Sequence, residues 1–99
     1  MADYPVRMIK TAADKRTARF LTGEPVPEFR SFERQVQRRI AVLHEATSIE
    51  DLMRQPSNHF QALAGRRQGQ FSIRIYLKWR LCFVFFEGDA YDVEIVDYH

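Results

Sequence analysis

Between Gly69 and His99 the chain reads GQFSIRIYLKWRLCFVFFEGDAYDVEIVDYH, and apolar side chains recur there at every second position. A period of two is the mark of a half-buried β-strand, because successive side chains point to opposite faces of a sheet. In the first run Phe71, Ile73 and Ile75 face one way while Ser72, Arg74 and Tyr76 face the other. In the second, Trp79, Leu81, Phe83 and Phe85 oppose Arg80, Cys82, Val84 and Phe86. Glu87-Gly88-Asp89 supplies a glycine-containing hairpin turn into a third run, where Tyr91, Val93 and Ile95 alternate with Asp92 and Glu94. The stretch NHFQALAG, ending at Gly65, is predicted to add a strand ahead of these. The result is an antiparallel meander of about four strands.

The first half has another period. Residues 6–10, VRMIK, are predicted to make a short strand. Ala13, Thr17, Phe20 and Leu21 then share one helical face, with Gly23 placed to cap the helix and Pro25 to stop it. Pro27 opens a second helix, roughly residues 27–46, whose apolar stripe is Phe29, Phe32, Val36, Ile40 and Leu43. Ser48 with Asp51 three residues on is an acidic capping motif, predicting a helical turn before Pro56. Helices segregated to one face of an antiparallel sheet make an α+β fold, here a single domain over residues 1–99. The other sheet face carries Arg74, Arg80 and part of the terminal triplet, and is expected to be basic and open to solvent.

Charge is unevenly spread. The net charge is +2, yet Leu52 to Phe86 contains no acid, while Glu87 onward contains five acids and no Lys or Arg. Arg30, Arg34, Arg38 and Arg39 form a second basic set off the apolar stripe of the long helix. A basic block fits phosphate-rich partners, and equally a solvated surface whose charges cancel in three dimensions. The lone Cys82 rules out an internal disulfide and a Cys-rich metal site, which makes a reducing cytoplasm the expectation. No run approaches the roughly 18 apolar residues of a membrane span, and MADYPVRMIK lacks the apolar core of a signal peptide.

GQFSIRI, WRLCF and above all the ending GDAYDVEIVDYH closely resemble the HigB branch of the RelE/ParE toxin superfamily, also called plasmid maintenance system killer proteins. The resemblance is dense over the C-terminal third, and the order of elements agrees along the whole chain. It implies a RelE/ParE-like fold and the toxin of a toxin–antitoxin pair. Such a toxin binds the ribosomal A site and cuts the mRNA there, using side chains rather than a metal or other cofactor. A helix-turn-helix, HigA-like antitoxin would neutralise it, and their complex would bind operator DNA. A ParE-like gyrase inhibitor and a non-catalytic RNA- or ribosome-binding module are the alternatives.

The residues can be weighed for that chemistry in their own right. Metal-free RNA cleavage needs a base for the 2′-hydroxyl, a cation for the phosphorane and an acid for the leaving 5′-oxygen. His exchanges protons near neutrality, and Arg offers a planar fork matched to phosphate oxygens. Residues 80 and 97 are nearly symmetric about Gly88, so Arg80 and Asp97-Tyr98-His99 are expected to share a patch. Arg80 would stabilise transition-state charge. His99 would be acid or base, with an adjacent α-carboxylate raising its pKa. Asp97 would be the complementary base or an orienting group, and Tyr98 would donate a hydrogen bond or stack on a base. Period-two alternation sets 97 and 99 on one face and 98 on the other, unless the strand bulges or ends there. His59, Arg66, Arg67, Arg74 and Lys78 are the candidate RNA-binding residues. His44, Trp79, Phe83 and Cys82 read as structural. Where the HigB branch commonly has Leu-Lys-Gly, this chain has Leu63-Ala64-Gly65, so a cation implicated in catalysis or RNA binding is missing.

Overall fold

The computed structural model describes residues 9–97. Four antiparallel strands lie in chain order: β1 (Gln61–Ala62), β2 (Phe71–Tyr76), β3 (Trp79–Phe86) and β4 (Asp89–Asp97). Three helices precede the sheet: α1 (Lys15–Leu21), α2 (Glu33–Glu45) and α3 (Ile49–Met53). The core lies between helices and sheet. Phe29, Phe32, Val36 and Leu43 pack there with Ile73, Ile75, Leu81, Phe83, Val93 and Ile95, all buried.

Several helix boundaries follow from local chemistry. Asp14 caps α1 by accepting from the Thr17 N–H at 3.2 Å. The helix ends in a Schellman motif. Gly23 takes φ 95°, its N–H reaches the Phe20 carbonyl, and the Glu24 N–H reaches that of Arg19. Ala13 therefore lies outside the helix that its spacing suggested. The expected long helix over 27–46 is broken in two: Pro27–Phe32 winds as a tight 3₁₀ turn, and α2 starts only at Glu33. Phe32, at φ −131° and ψ 30°, marks the junction, and the switch still buries both Phe29 and Phe32. Ser48 caps α3 as its spacing predicts, accepting from the Asp51 N–H, while Asp51 reaches back to the Thr47 N–H and hydroxyl.

The predicted strand at 6–10 falls largely outside the described residues. Its described end makes an isolated parallel bridge with β4, Ile9 to Ala90, and Ala12, just beyond it, makes another to Val93. This segment closes an edge that would otherwise expose a row of N–H and C=O groups. Lys10 donates to the Ala90 carbonyl, Ala13 to that of Val93, and Val93 to that of Thr11. The buried Thr17 hydroxyl then accepts from the Ile95 N–H at 3.0 Å.

Two bulges re-phase the sheet, and the alternation read from sequence fails at both. Between Arg74 and Tyr76 the register to β3 slips, so Ile75 and Tyr76 both turn to the helical side. Tyr76 stacks on Phe32 there, with ring centroids 5.7 Å apart, instead of sharing a face with Ser72 and Arg74. Between Cys82 and Val84 a second slip places Asp92 at φ 53°. The Asp92 N–H is satisfied by the Thr11 hydroxyl at 2.8 Å. The β3–β4 turn, Glu87-Gly88, has φ values of 50° and 83°, the left-handed pair that a two-residue hairpin favours.

The face expected to be open is largely covered. Residues 57–70 fold over it, and Ser72, Arg80 and Cys82 are all buried. Only Gln61 and Ala62 of the predicted first strand pair with β2, and His59 lies before them in a turn.

Candidate functional site

The site is organised by Arg80, placed by β3 directly across from Arg74 of β2. Contrary to the outward-facing expectation, Arg80 is only 8% exposed. Its Nε donates to the Ser72 hydroxyl at 2.7 Å, and Nη2 donates to the carbonyls of His59 and Ser72. A planar, weakly hydrated guanidinium can be buried this way when oxygens meet its N–H groups.

The His59 carbonyl reaches Arg80 because the preceding 3₁₀ turn, Pro56–Asn58, ends with His59 at φ 46° and ψ 52°. A left-handed conformation costs an ordinary L-residue about 1–2 kcal/mol, and His tolerates it better than most. The imidazole is thereby left at the surface. Asn58, fully buried, locks the turn: its Nδ2 donates to the Leu52 carbonyl at 3.0 Å and its Oδ1 accepts from Arg39 Nη1 at 2.7 Å. Arg39 of α2 is so held beside His59. Burial, with a smaller contribution from Arg38, pulls its pKa below the usual arginine value.

Two adjoining depressions result. Arg39, Ser57, His59, Arg74 and the hairpin residues Ile75–Leu77 line the first, and no carboxylate is among them. Lys78, Trp79 and Asp97 line the second, which shares Arg74 and Leu77 with the first. Arg74 Nε fixes their common wall by donating to the Leu77 carbonyl at 3.1 Å.

His59, Arg74, Lys78 and Arg80 are thus brought together. Asp97 stands at the far end, but in a register different from the one expected. It pairs with Trp79, while Arg80 pairs with Val96, so Asp97 lies on the face opposite Arg80. The observed pairs Trp79–Asp97 and Arg80–Val96 are both centred on Gly88, so the one-residue offset of positions 80 and 97 from that symmetry is enough to put them on different faces. Tyr98 and His99 lie outside the described residues. Arg67 is half-buried and paired with Glu94 at 3.1 Å, covering Cys82, whereas Arg66 is exposed on the same turn. Ala64 is exposed immediately before that turn. Sequence reasoning missed Ser57, Asn58 and the placement of Arg39. The run Gln55-Pro56-Ser57-Asn58 does signal a turn, but nothing local in it points to α2.

Burial pushes the Cys82 thiol up to about 11, with Glu94 adding to the shift and Arg67 and Arg80 opposing it. The unfolded thiol ionises near pH 8.5, so the folded state holds a proton that the unfolded state has lost. This contribution to stability is complete below about pH 8.5 and is lost as pH rises towards 11. We expect a loss on the order of 2–3 kcal/mol over that window, read by urea unfolding at successive pH values. Cys82→Ala should flatten that part of the profile.

A family model described as the RelE-like toxin of the type II toxin–antitoxin system HigB matches residues 12–99. The chain belongs to the HigB-like toxin family. The HigB-like match includes every residue lining both depressions, and the α+β architecture is that of a RelE-like toxin. The chain is also 39% identical over 61 residues to the protein named Endoribonuclease HigB of Proteus vulgaris. That alignment covers 62% of this chain and 65% of the relative, just under two thirds of its length.

Proposed function

We propose that this HigB-like protein is an endoribonuclease that cuts mRNA in the ribosomal A site and so inhibits translation. The observation that carries the reading is the rim of three cations, Arg39, Arg74 and Lys78, with the His59 imidazole among them, anchored on buried Arg80 and met at one end by a single carboxylate, Asp97. Among the described residues Arg39, Arg74 and Lys78 enter no ion pair, so their charge is available to phosphates. The name of the Proteus relative supports the same chemistry.

In the reaction we assign, a base removes the 2′-hydroxyl proton and the 2′-oxygen attacks the adjacent phosphorus. The bond to the 5′-oxygen then breaks, and an acid protonates that oxygen, leaving a 2′,3′-cyclic phosphate and a 5′-hydroxyl. His99 and Asp97 divide the acid and base roles, and Tyr98 stacks on or hydrogen-bonds the nucleotide. No metal takes part in this scheme. The substrate crosses the open end of the sheet past Arg74 and Lys78, where its two faces meet. Arg80 acts from below through its charge and by fixing His59. Exposed Arg66 extends the RNA path, beside an Arg67 that Glu94 holds in place. The partners are the ribosome, mRNA in the cytoplasm and a HigA-like, helix-turn-helix antitoxin that carries the pair to operator DNA.

The test maps 5′ ends on transcripts in a purified translation system. The parent should produce new ends within codons. His99→Ala should cut about 10²–10⁴-fold more slowly at an unchanged melting temperature. Salt-sensitive RNA binding without a new 5′ end, or inhibited DNA supercoiling with intact mRNA, would reject the proposal in favour of a binding module or a gyrase inhibitor.

A further inference from the structure

The first depression contains a cation of that rim, Arg39, to which the reaction above gives no step of its own. Arg39 comes from α2, outside the sheet, and reaches the site through Asn58. Among the described residues its single polar partner is that neutral amide. A half-buried guanidinium next to Arg38 has given up hydration and gained no countercharge. Such a group favours an anion strongly. Asn58 cannot neutralise it, but does aim it, since the same amide is anchored to the Leu52 carbonyl. The other lining groups suit a phosphodiester. Ser57 can donate one hydrogen bond, the exposed His59 imidazole another, and the Arg74 cation forms the wall shared with the second depression.

We infer that Arg39, with Ser57, His59 and Arg74, forms a phosphate subsite that grips the RNA linkage next to the one being cut, and that Asn58 is its positioning residue. The inference rests on the RNA-cleaving reading for its substrate. It adds a binding contact that acts equally in ground and transition states, so removing it should raise KM and leave kcat nearly unchanged.

The probe is a short single-stranded RNA in its 2′-O-methyl form, which lacks the attacking hydroxyl and stays intact. Affinity is measured against salt for the full chain, and the slope of log K counts the phosphates neutralised. Arg39→Gln should weaken binding about 3- to 10-fold and reduce the slope by about 0.7, one single-strand phosphate. Arg39→Lys should retain the slope. Asn58→Asp keeps an acceptor for Arg39 but neutralises it, and should lower the slope as Arg39→Gln does. A staple with no RNA role would give an unchanged slope in all three variants, and that result overturns the inference. Replacing single linkages of the probe by neutral methylphosphonates adds a readout independent of protein stability. One position should weaken the parent clearly more than it weakens Arg39→Gln, which keeps only Arg74, Ser57 and His59 on that phosphate; additive losses at every position would also overturn the subsite. Were ordinary RNA bound with these slopes but never cut, the subsite would stand and the nuclease reading would fall. Cutting with Arg39-independent binding would overturn the subsite and leave the nuclease reading intact.

Discussion

Arg80→Met should lower RNA cleavage by about 10²–10³-fold and destabilise the fold by on the order of 2–4 kcal/mol. Both effects have one source. Arg80 satisfies the buried Ser72 hydroxyl and the part-buried His59 carbonyl. A methionine fills much of the volume but leaves those acceptors without their donor, at about 1–3 kcal/mol for each buried polar group. His59 also loses the contact that holds its left-handed backbone in place, so the imidazole and the Arg39 arm beyond it are released together. Arg80→Lys is the informative companion. It restores the charge as a point, without a fork able to serve Ser72 and His59 at once, and should recover more stability than activity. Thermal unfolding separates the two effects, provided cleavage is measured well below the lowered transition. A stable, fully active Arg80→Met protein would show that the buried cation has no part in the reaction.

Much of this architecture was legible in the sequence because its determinants are local. Gly23 announces the end of α1 through its left-handed φ, and Ser48 with Asp51 announces the start of α3. Alternation between Phe71 and Ile95 marks three strands, since burial of one face imposes a period of two. What escaped was non-local. Neither bulge contains a glycine, and with Asp97 opposite Trp79 a one-residue difference in register decides that it faces away from Arg80. The burial of Arg80 depends on a carbonyl 21 positions away, and the partner of Arg39 lies 19 positions away. Hydrogen bonds of that span leave no periodic trace. They arise once the helices and sheet have brought the turn at Asn58 between them. The polar positions of a strand therefore suggested an open face, and the compensation that buries Arg80 became visible only in three dimensions.

Phe29→Ala should cost about 3–5 kcal/mol, a large share of the roughly 5–15 kcal/mol available to a domain of this size. Phe29 is fully buried at the centre of an aromatic cluster, edge-on to Phe20 at 5.6 Å and to Trp79 at 5.8 Å, with Phe32 at 6.1 Å. The Arg16 guanidinium caps the ring at 5.3 Å while donating to the Ile95 carbonyl. Truncation would open a cavity that these neighbours cannot close without moving. At about 4–8 °C per kcal/mol for a chain near 100 residues, melting should fall by roughly 12–40 °C. Phe29→Leu, which keeps most of the volume, should lose less than half as much. The cluster also reaches the site: Trp79 is both a wall of the second depression and the register partner of Asp97. Cleavage by Phe29→Ala, measured where the protein is still folded, should therefore fall further than the folded fraction does. Activity that tracks the folded fraction alone would show that the β3–β4 end is held without the aromatic cluster, and that the core and the Asp97 rim are energetically separate.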